Sequence, residues 1–162
     1  MSDFSGNWHV VGYDHLNGEL SLFDGEPRAE DLRSWLVGSN ETKPAVTAAG
    51  GMKIEIHETA FCESVTEFSR LMFDIEGVQV NDYQPMAGRL HIVEQVGFLL
   101  PDEVPEYASP SIDSGVACRY SDGDTIVCDT LRCAGDVLIR QVSVITDELY
   151  LDRIVLAYRP DA

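Results

Sequence analysis

The chain has 162 residues, with 28 acidic and 11 basic side chains and a formal net charge of −17 at pH 7. This length predicts one domain spanning residues 1–162, and the apolar share of 44% is enough to form a core. So much negative charge repels nucleic acid and anionic membrane surfaces, so neither is expected as a partner. The oligomeric state is left open.

The first residues and the cysteines bear on location and on metals. Residues 1–4 have no basic segment followed by an apolar one, and no apolar run in the chain reaches the roughly 20 residues of a membrane helix. Cys62, Cys118, Cys128 and Cys133 form no C-x-x-C pair and have no His at zinc-finger spacing. We therefore expect a cytoplasmic protein with reduced thiols, no membrane insertion, no metal and no cofactor.

A strand and then a helix are predicted at the start of the chain. Residues 8–13 are rich in strand-forming side chains. Residues 27–37 begin with Pro, carry acidic residues in the first turn, and place Leu32, Trp35 and Leu36 on one helical face. The helix is expected either to plug one end of a barrel or to act as a portal, with Trp35 against the ligand.

Short strands follow. Residues 52–58 alternate apolar and polar side chains, which is the period of a half-buried strand. Residues 60–68 and 71–75 continue in the same style, and 89–100 is the most apolar stretch of the chain. These segments predict the middle of a sheet.

Four more strands are predicted at the end of the chain. Asp-Gly within residues 121–124 and Ala-Gly-Asp at 134–136 supply residues that tolerate the positive φ of tight hairpins. Strands joined this way form an antiparallel meander, which must close or meet another sheet to protect its edges. The four predicted strands are 116–120, 125–132, 137–145 and 149–158.

Residues 101–114 interrupt the strand pattern. Pro101, Pro105 and Pro110 predict a segment that cannot form a regular ladder. A loop of this length is expected to be either a lid over the barrel or a mobile excursion. As a lid, it would bring Tyr107 to the ligand.

The order of these segments resembles that of a known family. Phe-Ser-Gly-Asn-Trp at 4–8 is similar to the opening of calycin barrels. The helical excursion, Thr-Lys-Pro at 42–44 and Gly-Met-Lys-Ile-Glu-Ile-His-Glu-Thr at 51–59 resemble the intracellular, lipocalin-like fatty-acid-binding proteins, and the opening also looks like the coelenterazine-type luciferase barrel. The resemblance implies an all-β, antiparallel up-and-down barrel with a cavity for a small apolar molecule that is lipid-like or polyketide-like.

The last strand departs from that family. Fatty-acid-binding proteins hold the ligand carboxylate with an Arg-x-Tyr pair there. With Tyr158 in the Tyr position, the Arg position holds Leu156; with Arg153 in the Arg position, the Tyr position holds Val155. The resemblance therefore does not carry the carboxylate site to this chain.

Alternation along the last strand predicts the cavity wall. Amphipathic tyrosine suits such a wall, so the face with two tyrosines is predicted to bind the ligand. A buried Asp152 would need a partner, for which Arg140 in the neighbouring strand is the candidate; alternatively, Arg140 and Arg153 are solvated rim charges. The face predicted to bind the ligand carries Tyr150, Asp152, Ile154, Leu156 and Tyr158.

Two functions remain open. The first is a carrier of a small hydrophobic molecule. The second is a cofactor-free enzyme of the cyclase or isomerase type, acting on a hydrophobic biosynthetic intermediate. Glu55 and His57, two apart on one strand face, are the candidate acid–base pair for the second function.

Overall fold

The computed structural model describes residues 3–19, 29–43, 45–67, 70–71, 84–103, 109–113, 116–122 and 124–162. These residues form one helix and eleven strands. The strands and the helix are β1 Gly6–Glu19, α1 Ala29–Val37, β2 Thr47–Ala48, β3 Met52–His57, β4 Ala60–Val65, β5 Ala87–Val93, β6 Val96–Pro101, β7 Ser109–Asp113, β8 Val116–Asp122, β9 Thr125–Ala134, β10 Val137–Thr146 and β11 Tyr150–Pro160.

Eight of the strands close into an antiparallel barrel, which confirms the predicted fold class. Around the wall the order is β9, β10, β11, β1, β3, β4, β5 and β6. The ring closes where Gly97 and Phe98 of β6 pair with Leu131 and Thr130 of β9. The other half of the same β9 edge pairs with β8, which pairs with β7, and β2 pairs with β1. Closure leaves no free edge on the barrel wall.

The inside of the barrel holds one apolar cluster, to which every strand of the wall contributes a side chain. Phe4 and Trp8 lie at one end, where the Trp8 indole N–H donates to the Phe4 carbonyl oxygen at 3.0 Å. We call this the closed end, and the opposite end, where Asn17 and Tyr150 lie, the mouth. The buried members of the cluster are Phe4, Trp8, Val10, Met52, Ile54, Ile56, Phe61, Leu71, Leu90, Leu99, Leu131, Leu138, Ile154, Leu156 and Tyr158.

The helix packs on the outside of the barrel. Leu32 is fully buried against Val155 and Ala157, which belong to the face of β11 opposite the interior cluster. Trp35 lies over Gly12, where an added Cβ would come within 2.8 Å of the indole ring. The expectation that the helix plugs a barrel end is therefore wrong, because β10 and β11 present a second apolar surface on the outer wall. Trp35 faces this outer contact and not the interior.

Two strand predictions change in detail. The apolar stretch 89–100 is a hairpin of β5 and β6 that turns at Glu94, which has a φ of 57°. The expectation that 101–114 cannot pair is wrong for Ser109–Asp113, which forms β7 beside β8. Pro110 is tolerated there because it sits at a register irregularity on an edge strand.

Some predictions fall on residues outside the described ranges. They are the last residue of the strand at 60–68, residues 72–75 of the next strand, the start of the helix at 27–28, and residues 104–108, which include Tyr107, and 114 of the predicted lid.

The outer position of the helix gives a stability prediction. Leu32→Ala leaves a cavity between α1 and the wall and should lower the free energy of unfolding by about 2–4 kcal/mol. Val37→Ala is the matched control on the same helix, since Val37 is 75% exposed, and should change it by less than about 0.5 kcal/mol. Urea titration followed by tryptophan fluorescence measures both, and equal midpoints for the two variants would contradict this packing.

Candidate functional site

A buried ion cluster crosses the interior of the barrel. Arg140 on β10 donates to Glu63 on β4, and these strands are four places apart in the ring of eight, so the two side chains meet from opposite walls. Arg140 also donates two hydrogen bonds to Asp129 on β9, from Nε to Oδ1 at 2.8 Å and from Nη2 to Oδ2 at 2.6 Å. A fourth bond runs from Nη1 to the Tyr158 hydroxyl at 3.3 Å. We call these four residues the Arg140 cluster.

Strand register places the cluster. Arg140 stands opposite Leu131 on β9 and opposite Leu156 on β11, so it shares their interior face. Asp129 lies on that same face, two residues from Leu131. Glu63 is held from the far wall, because its second carboxylate oxygen accepts the Met86 backbone N–H at 2.9 Å. The four residues of the cluster therefore come from four strands, β4, β9, β10 and β11, and a backbone contact also holds Glu63.

Burial controls the electrostatics of the cluster. Burial alone opposes the charge on Arg140, but attraction to Asp129 and then to Glu63 outweighs it and raises the pKa of the guanidinium well above its usual value. Burial also raises the pKa of Tyr158 well above its ordinary value, against the opposing effect of Arg140, so Tyr158 stays a neutral hydroxyl. Two carboxylates face one guanidinium, so its charge is already compensated from within the protein.

Interior side chains become accessible towards the mouth. Along β11, Leu156 and Ile154 are 2% and 3% exposed, whereas Asp152 is 27% exposed and Tyr150 is 51% exposed. On β10, Arg140 is buried, but the following interior residues, Val142 and Val144, are half-buried. Solvent therefore reaches the interior on the mouth side of the Arg140 cluster.

A histidine–aspartate pair stands at the mouth. The Nε2 atom of His15 on β1 lies within hydrogen-bonding distance of Oδ1 of Asp152 on β11, and the two side chains are 20% and 27% exposed. His15 is opposite Ile154 in the register, which places it on the interior face. A groove of about 460 Å³ opens beside the pair. It is lined by Asn17, Gly18, Val144, Thr146, Tyr150, Leu151 and Asp152.

The predicted ligand face divides between two environments. Ile154, Leu156 and Tyr158 lie in the interior cluster, whereas Tyr150 and Asp152 lie at the mouth. The predicted Asp152–Arg140 pair is wrong. The register puts Asp152 opposite Val144, four residues along β10 from Arg140. Asp152 therefore contacts His15, and Arg140 binds other carboxylates. Arg140 is likewise no rim charge, since its side chain is only 3% exposed.

The predicted acid–base pair lies elsewhere. Glu55 and His57 are exposed on the outer face of β3, because Ile54 and Ile56 between and beside them point inward. Both line an outer groove of about 550 Å³ that also includes Cys62. The fold therefore separates them from the interior of the barrel.

Three site residues were missed in the sequence. Asp129 shares strand phase with Val127 and Leu131, and a carboxylate in phase with buried apolar positions is a usable signal. Glu63 has the same phase relation to Phe61 on β4. His15 could not be found this way, because a register shift between Val10 and Gly12 reverses the alternation of β1.

Outside the barrel, an ion network ties the C-terminal end to the wall. Asp161 accepts from Lys53 at 2.8 Å and contacts His9 Nδ1 at 2.8 Å, and the hydrogen bonds from Lys53 and then His9 lower the pKa of Asp161. Within the described ranges, no three His, Cys, Asp or Glu side chains are placed to hold a metal ion. No helix in the described part of the chain has the length and apolarity needed to cross a membrane.

The fold and the site define a class. The chain is a closed eight-stranded antiparallel barrel with one short outer helix, an arrangement consistent with a calycin-like fold, and an ion cluster bridges its interior. Comparisons with protein-family models, with curated proteins and with solved structures found no match.

Removing only the cation of the Arg140 cluster should destabilise the protein strongly, whereas replacing its charged residues together should destabilise it little. Arg140→Met leaves two carboxylates buried without their cation, which should lower the free energy of unfolding by about 3–5 kcal/mol. Arg33→Met is the control: the Arg33 side chain is 50% exposed beside Glu30, so its loss should cost less than about 1 kcal/mol.

A triple variant separates charge compensation from loss of volume. Adding Asp129→Leu and Glu63→Gln to Arg140→Met removes the uncompensated charges, and Gln keeps an acceptor for the Met86 N–H. Chemical denaturation should then show that most of the loss is recovered. A triple variant as unstable as Arg140→Met alone would contradict this account.

Proposed function

We propose that the protein binds a small, largely apolar molecule that enters the barrel through the mouth and stops above the Arg140 cluster. The observation that carries the proposal is the change in exposure along the interior. Along β11, the interior side chains from Tyr158 to Ile154 are buried, and Asp152 and Tyr150 beyond them are accessible. An apolar molecule gains by transfer from water into such a site.

The side chains at the mouth suit a ligand with an apolar body and a polar group. The apolar part of this site consists of Val142, Val144 and Ile154. The hydrogen-bonding atoms beside it belong to His15 and Asp152. A few polar groups on a mainly apolar surface are typical of sites that orient a small molecule.

The charge distribution argues for a ligand whose polar group is uncharged. Every Arg140 nitrogen already donates to Asp129, Glu63 or Tyr158. No cation of the cluster is left for a ligand carboxylate, and a net charge of −17 repels an anion approaching the mouth. We therefore do not expect the ligand to carry a carboxylate, as it does in the fatty-acid-binding family that the sequence resembles.

Two neighbouring positions on β10 test the location of the site. Val144 lies on the interior face and Ile145 on the outer face of the same strand. Val144→Trp narrows the mouth and should weaken binding of the neutral dye Nile red by about tenfold or more, because overpacking costs about 1–3 kcal/mol. Ile145→Trp is the matched control and should leave dye affinity within about twofold of the unsubstituted protein, since its ring lies outside the barrel.

Fluorescence titration gives both affinities, and thermal unfolding shows whether each variant is folded. A protein that binds no Nile red at micromolar concentration, or equal weakening by both substitutions, would overturn the proposed function.

Ligand charge is tested with two ligands of equal chain length. 1-Decanol should displace Nile red at a concentration about tenfold lower than decanoate, because the carboxylate meets no uncompensated cation. Displacement is followed by the loss of dye fluorescence at pH 7. Stronger displacement by decanoate would show that an anion site exists and that the charge argument is wrong.

A further inference from the structure

We propose that His15 and Asp152 form a proton-transfer dyad that acts on a molecule bound at the mouth of the barrel. The inference rests on the proposed function, since it needs a ligand at that place. The chemical class of substrate is an apolar β,γ-unsaturated ketone, in which the C–H bond between the carbonyl group and the carbon–carbon double bond is acidic.

The two residues are placed by different strands and meet inside the wall. The bulge between Val10 and Gly12 brings His15 onto the interior face, opposite Ile154. Asp152 precedes Ile154 by two residues on β11 and therefore shares that face. Their contact joins Nε2 of the ring to a carboxylate oxygen. A carboxylate that holds one ring nitrogen fixes both the orientation and the tautomer of a histidine.

This contact determines which nitrogen can react. With its proton directed to Asp152, Nε2 is the donor, and Nδ1 carries the free electron pair. Among the residues that the structure describes, Nδ1 has no hydrogen-bond partner. Partial burial of both side chains keeps the imidazole in contact with a bound molecule as well as with the solvent at the mouth. The dyad therefore presents a proton acceptor beside the proposed ligand site.

The reaction balances without a cofactor. Nδ1 takes a proton from the carbon next to the carbonyl group, and the electron pair of the broken C–H bond moves onto the carbonyl oxygen to give an enolate. Return of the same proton from Nδ1 to a conjugated carbon gives an isomer of the substrate. No atom is gained or lost and no oxidant is consumed. Asp152 stabilises the imidazolium that exists between the two transfers.

The test uses 5-nitrobenzisoxazole, a small neutral probe that reports on general bases. A base removes the probe's ring C–H proton, the N–O bond breaks, and a coloured cyanonitrophenolate forms. The protein should open the probe with saturable kinetics, and Nile red should inhibit competitively. His15→Gln should lower kcat by about a hundredfold or more. Asp152→Asn should lower kcat by about tenfold or more with KM nearly unchanged, because it acts by positioning His15.

The control is His91→Gln, because His91 lies on the outer face of β5, next to the inward-pointing Leu90 and Ile92. This variant should keep the kcat of the unsubstituted protein. Nile red affinity and thermal unfolding are measured on every variant, so that a loss of rate in a folded, dye-binding protein is assigned to the dyad.

The outcomes separate the two proposals. Dye binding without probe opening, or equal kcat for His15→Gln and the unsubstituted protein, overturns the dyad and leaves the proposed function standing. Absence of dye binding overturns the proposed function itself. A loss of rate in both dyad variants, with dye affinity retained, supports the dyad.

Discussion

The contact between Arg140 and Glu63 constrains both the separation of the barrel walls and the part of the interior that solvent can reach. It joins side chains from opposite walls, and Asp129 and Tyr158 complete its hydrogen bonds. A charge buried this deeply is tolerated only when its partners are fixed in place, so the walls cannot separate without a large loss of free energy. The cluster divides the interior into an apolar part around Trp8 and an accessible part at the mouth.

That division changes what a barrel of this kind can do. In the family that the sequence resembles, an internal Arg–Tyr pair receives the ligand carboxylate. Here Arg140 and Tyr158 also lie together, but they come from adjacent strands. Two carboxylates of the protein already accept the hydrogen bonds of the guanidinium. The same residue types therefore stabilise the protein, and in the function that we propose the ligand contacts the side chains at the mouth instead. Similar folds can hold different sites, because sites depend on a few side chains.

The outer surface of the barrel has its own architecture. Val155 and Ala157 create an apolar stripe outside the wall, and α1 covers it through Leu32. Because the helix is bound there, the contact stabilises the barrel without reaching into the interior. The β7–β8 pair likewise extends from one half of the β9 edge, while β6 closes the ring through the other half.

The sequence by itself determined the strand alternation, the tight turns and the helical face, because these depend on neighbours within a few residues. Such patterns predicted an antiparallel meander and the interior phase of β11 with Ile154 and Tyr158, and the order of the segments, through the family that it resembles, predicted the closed barrel. The tertiary structure decided which charges meet. The partner of Arg140, Glu63, lies 77 residues earlier in the chain, and the partner of His15, Asp152, lies 137 residues later. Register, barrel closure and one bulge in β1 bring these atoms together, and no local pattern encodes them.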